Sequence, residues 1–163
     1  MTLPRHLSLL RVAIGCLTLS SVLAGALPAA SLREVLAEFE TGAMTAAACA
    51  GDHKIGRNKE VSRFQILPSV WHQYARSPDY RNPAAAWSVA ERILSDRLEW
   101  FRRATGRDCD HVDLYLMWNA PGAYARARYD RRLMPRAVLE RAERFANLAA
   151  ARIAVATRLA DRK

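Results

Sequence analysis

The chain has 163 residues, with 25 Lys and Arg against 16 Asp and Glu and a formal net charge of +9. That length suits one domain and excludes two full-sized ones. The basic surplus favours anionic surroundings, but no helix-turn-helix, zinc-finger or single-strand-binding pattern accompanies it, so nucleic acid is not an expected partner.

Arg5 and Arg11 precede or open an apolar run from Val12 to Leu27, and no acid occurs before Glu34. Small residues follow at Ala24-Gly25-Ala26 and Ala29-Ala30. This order predicts a secretory leader over residues 1–29, with cleavage after Ala26 or Ala29. An uncleaved anchor is the alternative, although Gly15, Thr18, Ser20 and Ser21 interrupt a run already short for a span. Removing the leader takes Arg5 and Arg11, lowers the charge to +7 and leaves roughly 135 residues. The expected location is the periplasm or beyond the cell. Cys49 and Cys109 then remain, and in an exported chain they are either a disulfide or two separate thiols. Bridged, they would close a loop of about 60 residues, worth ~4 kcal/mol.

Ser31 and Glu34 are spaced as a capping box, and Leu32, Val35, Leu36 and Phe39 share a face. A helix is predicted over about 32–40, stopping at Thr41-Gly42. Residues 43–50 read either as a poor continuation or as a packed loop. Residues 51–62 hold Gly51, Asp52, Gly56 and Asn58 and read as irregular, with room for a short hairpin within 51–66. Pro68 suits the first turn of a short helix carrying Val70, Trp71 and Tyr74. Pro83 opens the clearest helix, with Trp87, Ala90, Ile93, Leu94, Arg97, Leu98 and Phe101 at three and four spacing until near Gly106. Another helix spans about 112–118 and breaks at Pro121-Gly122. Pro135 begins the last, with Val138, Ala142, Phe145, Ala149 and Ile153 on one stripe. No long segment alternates as a strand would. The expectation is one all-α domain over 30–163.

Glu40 lies beside Phe39 and opens directly onto the glycine break. Burial against that apolar face would raise its pKa and make it a usable general acid. Gln65 sits between Phe64 and Ile66 just before a proline-led helix, and Asn119 follows Trp118 where Pro and Gly open the backbone. Amides can orient sugar substituents. Phe64, Tyr115 and Trp118 beside them suit a sugar surface or a core. His53, His72 and His111 are too scattered for zinc spacing, so no metal or other cofactor is expected. No nucleophile elbow or phosphate loop occurs.

Taken in order, these segments resemble the lysozyme-like catalytic domain of soluble lytic transglycosylases. Glu40-Thr41-Gly42 matches that family's Glu-Ser-Gly-like motif, Ser62-Arg63-Phe64-Gln65-Ile66-Leu67-Pro68 its Gly-Leu-Met-Gln-Ile-x-Pro-like motif, and Trp118-Asn119-Ala120-Pro121-Gly122 its Tyr-Asn-Ala-Gly-like motif. The resemblance covers roughly 32–148. A longer stretch between Glu40 and Gln65, Arg63-Phe64 in place of a small and an apolar residue, and the intruding Pro121 mark a divergent member. The resemblance implies a monomeric enzyme acting on peptidoglycan glycan strands. It would cleave the β-1,4 bond between N-acetylmuramic acid and N-acetylglucosamine, leaving 1,6-anhydromuramic ends. Glu40 would be the acid and base, with Gln65, Asn119, Phe64, Tyr115 and Trp118 binding substrate. Glu60 or Asp52 as a second carboxylate would make it a hydrolysing lysozyme instead. The remaining alternative is an exported wall-binding protein without activity. Association with an envelope machine is compatible with every one of these readings.

Overall fold

A computed structural model describes residues 29–160. Among them are six α-helices and no strand: α1 (Ala29–Thr41), α2 (Pro68–Tyr74), α3 (Pro83–Thr105), α4 (His111–Asn119), α5 (Pro121–Arg126) and α6 (Arg136–Ala160). The all-helical expectation holds. The predicted leader lies outside the described residues except for Ala29, which opens α1. No described helix is long and apolar enough to cross a membrane.

α4 is the central element. It packs against α6, α3 and α5, and every residue from Asp113 to Trp118 is buried. A helix covered on all sides carries no polar face, so its sequence shows little periodicity. Its start is fixed by Asp110, whose carboxylate accepts from the Asp113 N–H at 2.9 Å. Asp113 itself is fully buried and accepts from Arg107, from Arg131 Nε at 3.0 Å and from the Tyr124 hydroxyl at 2.5 Å. One carboxylate thus joins the α3–α4 connection, α5 and the turn before α6.

α1 lies on α6. Val35, Leu36 and Ala37 are buried, Phe39 meets Tyr115 and Phe145 edge-on, and Arg152 of α6 pairs with Glu38 at 2.5 Å. The helix begins earlier than expected. Ser31 falls inside its first turn, so the predicted Ser31–Glu34 capping box does not mark the start. Ala29 and Ala30, both strong helix formers, extend it. The end is as read. Gly42 takes φ +77° and donates its N–H to the Glu38 carbonyl at 2.8 Å, a left-handed cap. In α3, Asn82 accepts from the N–H groups of Ala84 and Ala85, Pro83 takes the first position, and Gly106 closes the helix at φ +70°. Pro121 ends nothing by itself. Ala120 both closes α4 and precedes α5, and Pro121 is α5's first residue.

Residues 42–67 form a packed excursion. A 3-10 turn covers Ala50–His53, and the anticipated hairpin shrinks to one antiparallel bridge, Val61 with Ile66, at 2.8 and 2.9 Å. Its tie is Arg63. That guanidinium reaches Asp52 through Nε and Nη2 at 2.6 and 2.8 Å, and the carbonyls of Thr45 and Ala47 at 2.6 and 2.7 Å. The Cys49 N–H adds a bond to Asp52 at 2.7 Å. Lys59, Ser62 and Gln65 all take positive φ, a conformation that needs surrounding contacts to hold it.

Cys49 and Cys109 are free, so the candidate bridge is not formed. They sit in different settings. Cys49 Sγ is 3.9 Å from Arg63 Nη2, whereas Cys109 lies in the α3–α4 connection, where burial and then the Asp113 charge push its thiol up to about 12.

Candidate functional site

Glu40, Gln65 and Asn119, one from each of the three motifs, line a single cleft of about 680 Å³. The end of α1 supplies Glu40, the turn enclosed by the Val61–Ile66 bridge supplies Gln65, and the last turn of α4 supplies Asn119. Trp118 and Glu60 also line it. The glycine cap explains the first placement. It stops α1 one turn after Phe39 enters the core, and Glu40 in that last turn lines the cleft.

The Glu40 side chain is only 7% exposed. The Tyr115 hydroxyl donates to its Oε1 at 2.7 Å, and Arg141 Nη2 donates to Oε2 at 3.0 Å. Arg141 Nε donates in turn to the Tyr115 oxygen at 2.7 Å, closing a three-membered ring of contacts. Burial raises Glu40 above its ordinary 4.5, outweighing Tyr115, Arg141 and a smaller contribution from Trp118, all of which lower it. Burial and the Glu40 charge also push the Tyr115 phenol up, so it stays a proton donor. The Arg141 guanidinium packs 5.1 Å from the centre of the Phe39 ring and keeps part of its surface in the cleft.

Gln65 donates from Nε2 to the carbonyls of Lys54 and Ser62, both at 3.1 Å. Its amide oxygen lies beside Gly56, where any added Cβ would collide with it and with Glu60 Oε2. Glu60 accepts from the side chain and the N–H of Asn58, both at 2.8 Å. Burial would raise it, but these donors win and hold it below its usual range.

Three expectations need correction. Asp52 does not line the cleft; it is buried against Arg63, with side-chain exposures of 0% and 2%, and is spent on holding the loop. Phe64 is fully buried and tilted against Trp87, so it is core and not a sugar surface. Tyr115 is fully buried as well and touches Glu40 rather than the cleft. Arg141 and Arg97 were missed as site residues. Arg97 stands on the apolar stripe of α3, and Arg141 precedes the stripe residue Ala142 on α6. A cation on or beside a core-facing stripe was the available signal. Among the described residues no group of His, Cys, Asp and Glu could hold a metal ion.

A small all-helical domain with one enclosed acid in an arginine-lined cleft is the class that the fold and site define. No protein-family model matches the chain, and no curated protein or solved structure matches it either.

Proposed function

We propose that the protein is an exported peptidoglycan lytic transglycosylase of lysozyme-like fold, acting in the periplasm or beyond the cell. The observation that carries this reading is the nearly enclosed Glu40 carboxylate, raised in pKa, lining a cleft that also takes Gln65 and Asn119. The ordered resemblance of the three motifs supports it from the sequence side. In this reading Glu40 protonates the glycosidic oxygen between N-acetylmuramic acid and N-acetylglucosamine. The substrate's acetamido carbonyl stabilises the cation-like carbon. The Glu40 carboxylate then accepts the 6-hydroxyl proton as the anhydro ring closes, so one carboxylate suffices. Tyr115 and Arg141 hold that carboxylate in one orientation. Gln65 and Asn119 keep sugar substituents in register.

The test is Glu40→Gln on purified peptidoglycan with mass analysis of the released fragments. Turnover is expected to fall by ~10²–10⁴-fold, since that is what a positioned proton transfer contributes. Full activity in Glu40→Gln with loss in Glu60→Gln would overturn the assignment. A second reading has its own observation: Glu60 lines the same cleft and is held ionised. With Glu60 activating a water, the protein is a hydrolysing lysozyme and releases reducing ends, whereas the first reading requires anhydro ends. Binding to the wall with no fragment released favours the non-catalytic alternative.

A further inference from the structure

The charge of the cleft asks for more than a neutral sugar. Lys54, Arg57, Arg97 and Arg141 line it against two carboxylates, Glu40 and Glu60. Arg141 is paired with Glu40. Glu60 is satisfied by Asn58. Lys54, Arg57 and Arg97 make no ion pair among the described residues.

Arg97 is the informative member. It rises from α3 and is half-buried. Its Nη1 donates to the carbonyls of Met117 and Trp118, at 3.1 and 2.6 Å, in the last turn of α4. Its guanidinium carbon lies 5.8 Å from the centre of the Trp118 ring. Two carbonyls at a helix C-terminus and one aromatic ring therefore orient it. Its Nε and Nη2 make no hydrogen bond among the described residues, and the Tyr74 phenol is a further electrostatic neighbour. That Nε–Nη2 edge is the one Arg63 presents to Asp52 in the same molecule, one nitrogen to each oxygen. A planar two-donor edge matches a carboxylate. A half-buried guanidinium without a carboxylate partner is costly to hold, and a ligand carboxylate would repay that.

We infer that the cleft takes a carboxylate carried on the glycan, with Arg97 as its anchoring residue and Lys54 and Arg57 adding charge from the loop. The inference rests on the proposed reading of this cleft as a peptidoglycan site and narrows its ligands to acidic strands. Two sources carry that chemistry: the lactyl carboxylate of strands stripped of peptide, and the carboxylates of attached peptide stems.

The experiment measures binding by calorimetry to protein carrying Glu40→Gln, so that ligands stay intact. Three probes are compared at low salt: a neutral N-acetylglucosamine tetramer, peptide-free strands with free lactyl groups, and strands with peptides attached. At least one acidic probe is expected to bind at least about ten-fold more tightly than the neutral one, the worth of a charge-assisted pair. The tighter of the two identifies the source. Added Arg97→Lys keeps the charge, loses the two-donor edge and should lose most of the preference. Lys54→Gln with Arg57→Gln, both at exposed positions, should weaken the salt dependence. Equal binding of neutral and acidic probes overturns the inference, as does a full preference in Arg97→Lys. A single-stranded oligonucleotide that competes as well as the acidic glycan overturns it too, by making the cleft a phosphate site. Preference for acidic strands in a protein that releases no fragment from the wall would leave this inference standing and sink the cleavage reading alone.

Discussion

Asp52 with Arg63 and Glu40 with Arg141 are the same chemical pair set in two parts of one molecule. In the loop, Asp52 and Arg63 are both fully buried; in the cleft, Glu40 is enclosed while Arg141 is 40% exposed. Burial raises both acids, yet Asp52 ends below its ordinary value and Glu40 above it. The difference lies in depth and in the donors: Glu40 has more protein packed around it than Asp52. Asp52 receives two guanidinium nitrogens and a backbone N–H. Glu40 receives a neutral phenol and one nitrogen of a guanidinium that water screens. The donors of Asp52 hold it ionised, whereas burial outweighs those of Glu40.

The strongest way to break this comparison is to remove one arginine at a time. Arg63→Met leaves Asp52 buried and unpaired and should cost ~3–5 kcal/mol in denaturant unfolding. Arg141→Met should cost far less stability, since its guanidinium is partly solvated. Equal losses would erase the distinction between the two sites.

Proton linkage separates them next. Asp52 is lowered, so its contribution to stability is present above pH 3.8 and is lost as pH falls through its folded value. Glu40 is raised, so its contribution is complete below pH 4.5 and is lost as pH rises through its folded value. Glu40→Gln should therefore gain stability relative to the parent as pH climbs above 4.5, read from denaturation midpoints across pH. A parallel profile for the two proteins would refute the raised value. Arg141→Gln should move the Glu40 carboxyl titration, followed by NMR, to higher pH; a downward move would mean that losing the guanidinium's cover outweighs losing its charge.

Smaller effects test the frame around each site. Gly42→Ala should cost ~1–2 kcal/mol, because the α1 cap needs a left-handed residue. The smallest effect concerns the thiols. Peptide-resolved alkylation of the unfolded, unreduced protein should label both Cys49 and Cys109. In the native protein Cys109 should react slowly at pH 8, as its thiol is pushed up to about 12. Absence of label at both positions would restore the disulfide.

Local signals carried the helices well. Asn82-Pro83 and Gly106 bracket α3 because capping and left-handed glycine are decided within a few residues. Pro121 was half-read, since proline stops one helix and starts another equally well. The candidate site was legible where cleft-lining residues coincide with a chain break, at Glu40, Gln65 and Asn119. It was illegible where a partner lies far along the chain. Nothing near Asp52 shows that Arg63 will consume it, and the place of Arg141 beside the α6 stripe does not show that it reaches Glu40. Phe64 and Tyr115 were misplaced because an aromatic ring beside an amide looks the same in a core and at a sugar surface.

Glu40 and Arg141 meet across 101 positions of chain, with Tyr115 between them on α4. During synthesis the acid therefore emerges long before the residues that orient it. Until α6 is made and laid against α1 and α4, Glu40 lacks the Arg141 part of its latch and the cleft lacks one of its walls. The candidate cleft is complete only once Arg141 has been made and α6 has docked. A single cut between α5 and α6 would disconnect the Arg141 helix from the chain that carries Glu40, without touching the acid itself.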